Sequence, residues 1–161
     1  MKKILSLTMA LTMLGTVLTG CGSKDAATKT PSENTQQEQT QTEKALALIN
    51  TFATGDTDTA RSLLADGYIQ HNLAYGTGAD AFIGSVEYLT SADVKTTVNN
   101  IRAFEDGDEV FLQTIYNFAG AGEQIAFDIF RFGENGKIAE HWDVMETIAD
   151  QSTWQNQNGK F

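Results

Sequence analysis

Residues Phe127-Asp128-Ile129-Phe130-Arg131-Phe132-Gly133-Glu134-Asn135-Gly136-Lys137-Ile138-Ala139-Glu140-His141-Trp142-Asp143-Val144 read as a β-hairpin. Two alternating apolar runs flank Asn135-Gly136, a dipeptide suited to a type I′ turn because it tolerates positive φ at both central positions. With those two residues as the turn, Glu134 faces Lys137, Phe132 faces Ala139, Phe130 faces His141 and Asp128 faces Asp143. Side chains alternate along a strand, so Asp128, His141 and Asp143 fall on one face. Carboxylates opposed across a ladder repel each other. Such a face needs a proton, a cation or a substrate to relieve it, which makes these three residues the candidate catalytic set.

Outward from the hairpin, strand patterns continue upstream. Glu123 to Phe132 and Lys137 to Ile148 are its arms; before them come Val94 to Phe104, an Asp106-Gly107 turn, Glu109 to Phe118, and a small-residue turn over Ala119 to Gly122. Further upstream the period becomes helical. Leu46, Ile49 and Phe52/Ala53 mark a helix over Lys44 to Ala53; Ala60, Leu63 and Leu64 mark a second over Thr57 to Ala65, after a Gly55-Asp56 break. Tyr68-Ile69-Gln70-His71 is a short extended segment. Thr77-Gly78-Ala79-Asp80 caps a third helix carrying Phe82, Val86 and Leu89. Helices followed by an antiparallel meander make an α+β plan.

The chain opens with signals of export. Met1-Lys2-Lys3 is a basic start, Ile4 to Val17 is apolar but too short to span a bilayer, and Leu18-Thr19-Gly20-Cys21 follows. Residues 1–20 are thus expected to be a signal peptide, and the last four residues resemble a lipobox, in which the cysteine becomes the acylated N-terminus. Cys21 is the only cysteine of the chain, which excludes an intrachain disulfide or a cysteine metal site. Several acyl chains on one residue anchor stably, since each buried methylene adds about 0.8 kcal/mol. Residues 21–42 are dominated by Ser, Thr, Gln, Lys and Glu, with the one proline, Pro31, and almost no apolar residue. They cannot bury enough apolar surface to offset ordering, and are expected to form a flexible tether to a domain over residues 43–161.

A net charge of −10, without basic clusters, argues against nucleic acid and against docking of the domain on anionic lipid. Membrane contact is expected only through Cys21, in the bacterial cell envelope outside the cytoplasm.

Three segments, Tyr68-Ile69-Gln70-His71-Asn72, Asp128-Ile129-Phe130-Arg131 and Gly136-Lys137-Ile138-Ala139-Glu140-His141-Trp142-Asp143-Val144, together resemble the SnoaL-like polyketide cyclase group of the nuclear-transport-factor-like superfamily. The resemblance covers essentially all of Glu43 to Ile148. It implies a cone in which a curved antiparallel or mixed sheet and three N-terminal helices enclose a pocket. It also implies chemistry with no metal or organic cofactor: a carboxylate in the apolar cone removes a proton next to a carbonyl, and the enolate attacks a second carbonyl. By resemblance the acid/base role falls on Asp143, with Asp128 as its protonated or hydrogen-bonded partner and His141 as proton shuttle or oxyanion donor. Physical chemistry agrees that a like-charged neighbour and an apolar wall raise a carboxyl pKa toward operating pH. His71 is implied to enter from the other side of the cone and, with Tyr68, Asn72, Tyr116, Phe130 and Trp142, to contact the ligand.

Plainer readings stand beside these. Asp128 also reads as half of a structural charge pair with Arg131, although the two lie on opposite faces of the strand, His141 as a satisfied sheet histidine, His71 as a donor to a backbone carbonyl, Asn72 as a turn residue, and the aromatic residues as core or pocket wall. His71, His141 and a carboxylate would also compose a two-histidine, one-carboxylate metal set, which the resemblance does not favour. The superfamily includes enzymes and pure binding modules. Three readings follow: an envelope enzyme acting by proton transfer on a small apolar or carbonyl-containing molecule, a non-catalytic binding lipoprotein, and a structural protein that forms a homodimer through its sheet face.

Overall fold

The computed structural model describes residues 38–161. The expected signal peptide, Cys21 and most of the expected tether lie outside them. Three helices come first: α1 (Gln41–Thr54), α2 (Thr57–Leu63) and, after strand β1 (Leu64–Gln70), α3 (Ala79–Ser91). Four strands follow: β2 (Thr97–Asp106), β3 (Glu109–Asn117), β4 (Gln124–Phe132) and β5 (Ile138–Thr147).

Local chemistry sets these boundaries. The Thr40 hydroxyl accepts from Glu43 N–H while Glu43 reaches back to Thr40 N–H, a reciprocal cap that starts α1 at Gln41, inside the segment expected to be tether. Gly55 ends α1 in the left-handed conformation, φ 76°. The second helix is shorter than expected. It stops at Leu63, and Leu64 and Ala65 already belong to β1, because Leu64 continues straight into parallel pairing with Ile138 of β5.

The strands lie in the order β1-β5-β4-β3-β2, antiparallel except for the β1–β5 pair. A mixed sheet results, in which the last strand is gripped by both the fourth and the first. The helices cover one face. Leu48 of α1 and Val86 of α3 meet Val110, Leu112, Tyr116 and Phe130 from the sheet in one buried cluster, each large side chain stabilising by roughly 1.5–3 kcal/mol. The expected α+β cone is the observed fold.

The outer sheet face behaves differently. Phe104, Phe111, Phe127 and Val144 stay 39–72% exposed there. Beside them the C-terminal segment returns across the strands: Gln113 donates to the Lys160 carbonyl at 2.9 Å, and Lys160 donates to Glu146 at 2.6 Å.

The β4–β5 hairpin departs from expectation at its tip and agrees with it at the site. Only Gly136 has positive φ (68°), Gly136 N–H donates to Gly133 O, and Gly133 N–H donates to Lys137 O. The loop is therefore Glu134-Asn135-Gly136, with Gly133 and not Glu134 facing Lys137, and Phe132 pairs with Ile138 rather than Ala139. A bulge at Ala139 then restores the pairing: Arg131 faces Glu140, Phe130 faces His141 and Asp128 faces Asp143. The turn takes an extra residue from one arm and the bulge takes one from the other, so the two departures cancel.

Candidate functional site

A cavity of about 510 Å³ opens between the helices and the inner sheet face, within the range of small-molecule sites. Its walls are mostly apolar, with Phe52 from α1, Phe82 and Leu89 from α3, Phe118 after β3 and Met145 from β5. Its polar lining includes Gln70, Asp128, His141 and Asp143, together with Gln124, Ser85 and four tyrosines. Among the described residues, no lysine or arginine lines it.

Strand parity brings the three expected residues together. Asp128, His141 and Asp143 have ligand-capable atoms within 4.8 Å of one another. Asp128, nearly fully buried, accepts the Tyr116 O–H at Oδ2 (2.9 Å), and its Oδ1 stands 3.3 Å from His141 Nε2. Asp143 Oδ1 accepts from the Asn72 side-chain amide at 2.6 Å, while Oδ2 lies 3.9 Å from His141 Nε2. Phe130, directly across the ladder, stacks on the His141 ring with centroids 4.3 Å apart and planes 6° from parallel.

The two carboxylates occupy different environments. Burial pushes the Asp143 carboxyl above the ordinary range, and the charge of Asp128 adds to this, against the opposing pull of His141 and Asn72. Asp128 instead has the Tyr116 hydroxyl committed to it. Burial first, and the carboxylate charges second, push the phenols of Tyr68 and Tyr116 upward, so both remain protonated donors.

Of the expected ligand contacts, Tyr68, Tyr116 and Phe130 line the cavity. Asn72 reaches the site indirectly, through Asp143. His71 and Trp142 do not enter it. Trp142 sits one residue from His141 and so points to the outer face, opposite Ile129. His71 stacks on it at 4.3 Å and 4° and pairs with Glu140 (2.8 Å), which Arg131 also grips through Nε (2.8 Å) and a terminal amine. Those two partners, His71 first, hold the Glu140 carboxyl below its ordinary range. The two-histidine metal set is therefore not assembled, since His71 and His141 lie on opposite faces. Among the described residues, Asp128, His141 and Asp143 are close enough to share a cation, each already engaged by a protein partner.

Sequence reasoning assigned no role to Gln70. Its Nε2 lies 3.0 Å from His141 Nδ1, and Gln70 sits opposite His141 in the parallel β1–β5 ladder. The signal was available in the two-residue period of β1, which puts Tyr68 and Gln70 on one face. The α3 residues Gly84 and Ser85 also line the cavity and were not singled out.

Comparison with known proteins agrees with this fold. Residues 45–141 match a family model described as a SnoaL-like domain. No curated protein sequence matches. Among solved structures, an NTF2-like protein of unknown function from Cytophaga hutchinsonii superposes with a TM-score of 0.59 at 17% identity, covering 69% of this chain and 94% of that one. A candidate polyketide cyclase from Bacillus cereus superposes with a TM-score of 0.57 at 14% identity, over 66% of this chain and 74% of its own. An epoxide hydrolase of the LEH-like type from M. tuberculosis gives 0.57 at 17% identity, over 66% and 82%. At these identities the shared property is the fold.

Proposed function

Because the chain belongs to the SnoaL-like domain family, we propose that its cavity performs proton transfer on a small, uncharged carbonyl compound without a cofactor, with Asp143 as the base. The observation that carries this reading is the division between the two carboxylates. Asp128 is held by Tyr116 and spends its charge within the protein; Asp143 faces an apolar cavity that favours its taking up a proton. An enolate needs a donor as its charge develops. The Tyr68 hydroxyl oxygen accepts from Gln70 at 3.3 Å and its hydrogen meets no acceptor among the described residues, so it is free for the substrate oxygen. The absence of lysine and arginine from the lining supports a neutral ligand over a carboxylate or phosphate.

The test is exchange of α-protons for deuterium across ketones and β-keto esters, followed by mass spectrometry. Catalysed uptake above buffer is the expected result. Binding of the same compounds without any uptake would overturn the enzyme and leave a binding lipoprotein.

We also propose that Leu18-Thr19-Gly20-Cys21 directs lipid attachment at Cys21 in the cell envelope. Full-length protein made in a bacterial host is expected in the membrane fraction, and Cys21→Ser is expected to lose that partitioning. Mass spectrometry that finds an unmodified Cys21 within a longer retained peptide would reject the anchor.

A further inference from the structure

Gln70 touches the site at its polar end, and its amide joins three groups. Oε1 accepts the Asn72 backbone N–H at 2.9 Å; Nε2 lies 3.0 Å from His141 Nδ1 and 3.3 Å from the Tyr68 hydroxyl oxygen. A backbone N–H can only donate, so the atom facing Asn72 must be the amide oxygen, and a flipped amide would set N–H against N–H. That pins the nitrogen toward His141. Nε2 has two hydrogens and no lone pair to offer, so His141 Nδ1 must be the acceptor. The imidazole hydrogen then resides on Nε2, which faces Asp128 Oδ1 at 3.3 Å and Asp143 Oδ2 at 3.9 Å.

We propose that Gln70 is a positioning residue that fixes His141 in the tautomer with Nε2–H directed at the carboxylate pair. The rest of the surroundings holds the plane and the backbone of His141 in place. Phe130 stacks on one side of the imidazole, and the backbone on either side is clamped, with Gln70 opposite His141 in the ladder and His71 N–H donating to the His141 carbonyl at 2.9 Å. The same amide supplies the donor that satisfies the Tyr68 oxygen, which leaves the Tyr68 hydrogen for the cavity. One side chain thereby orients two of the site's uncharged donors, the Tyr68 hydroxyl and the His141 imidazole, and His141 serves as a donor to carboxylates and not as a shuttle through Nδ1. The inference rests on the proposed reaction only in regarding the carboxylate pair as its centre; the tautomer belongs to the resting protein.

The test needs no substrate, so its failure is distinct from failure of the carbonyl reading. The chain has two histidines, and long-range proton–nitrogen spectra of the ¹⁵N-labelled protein without a histidine tag resolve both rings, with His71→Gln assigning them. The expected result is a pyridine-type Nδ1 and a pyrrole-type Nε2 for His141. A protonated Nδ1 in the wild type would overturn the proposal. Gln70→Glu replaces the donor with an acceptor and is expected to move the hydrogen to Nδ1. Gln70→Leu removes the partner and is expected to let both tautomers appear; it decides the matter if the glutamate variant does not fold. Retention of the single Nε2–H form in Gln70→Leu would show that Asp128 alone sets the tautomer and would overturn the role of Gln70.

Discussion

Asp143→Asn is expected to reduce α-proton exchange by at least about 10³-fold, in the upper part of the range that general-base removal costs, while leaving the fold intact. The asparagine carbonyl can still accept from Asn72, the contact Asp143 makes at 2.6 Å. Stability is expected to move the other way, upward by about 1 kcal/mol at neutral pH, because a buried charge beside a second carboxylate is removed. The sign follows from linkage. Asp143 has a raised pKa in the folded protein, so the folded state holds its proton more tightly than the unfolded chain, and ionisation costs stability as pH rises through that range. The advantage of the asparagine variant is therefore full above the folded pKa and disappears below the ordinary carboxylate value. Urea titrations at neutral and acidic pH check this. A variant that loses stability at neutral pH would mean that the charge of Asp143 is needed by Asn72 and is structural.

Phe130→Ala is expected to have the largest effect on stability. The ring is 1% exposed, belongs to the core cluster and stacks on His141 across the ladder. Its loss should cost about 3–4 kcal/mol by removing buried surface and leaving a void, and lower the melting temperature by roughly 10–15 °C for a domain of this size. The imidazole would also lose the wall that keeps it facing Asp128. Thermal melts by circular dichroism measure the shift, and a loss below about 1 kcal/mol would show that the neighbouring cavity absorbs the change and that Phe130 lines the site without supporting it.

The inner face of β4–β5 was legible because alternation is insensitive to the details of a turn. Asp128, His141 and Asp143 share parity, and the extra residues at Glu134 and Ala139 offset each other before the site is reached. The same parity assigns Trp142 and Glu140 outward. Family resemblance drew Trp142 and His71 into the pocket, whereas alternation along β5 separates Trp142 from His141 and alternation along β1 and past its end separates His71 from Gln70. Other relations could not be read from a one-dimensional pattern. Tyr116 pairs with Gln124, four positions along β4 from Asp128, yet its hydroxyl bonds Asp128. The end of α2 at Leu63 has no glycine or proline to announce it, and what stops the helix is the pairing of Leu64 with Ile138, some seventy residues later in the chain.

The offset at the β4–β5 tip makes that end of the hairpin a replaceable cassette. Excising Glu134 and Ala139 together would leave Asn135-Gly136 as a minimal two-residue connection, with Gly133 still facing Lys137, Phe132 facing Ile138 and Arg131 facing Glu140. Foreign loops grafted between Gly133 and Lys137 would likewise leave the spacing beyond Arg131 untouched. The bulge thus works as an expansion joint, through which the length of the tip can vary while the rows carrying Asp128, His141 and Asp143 stay in step.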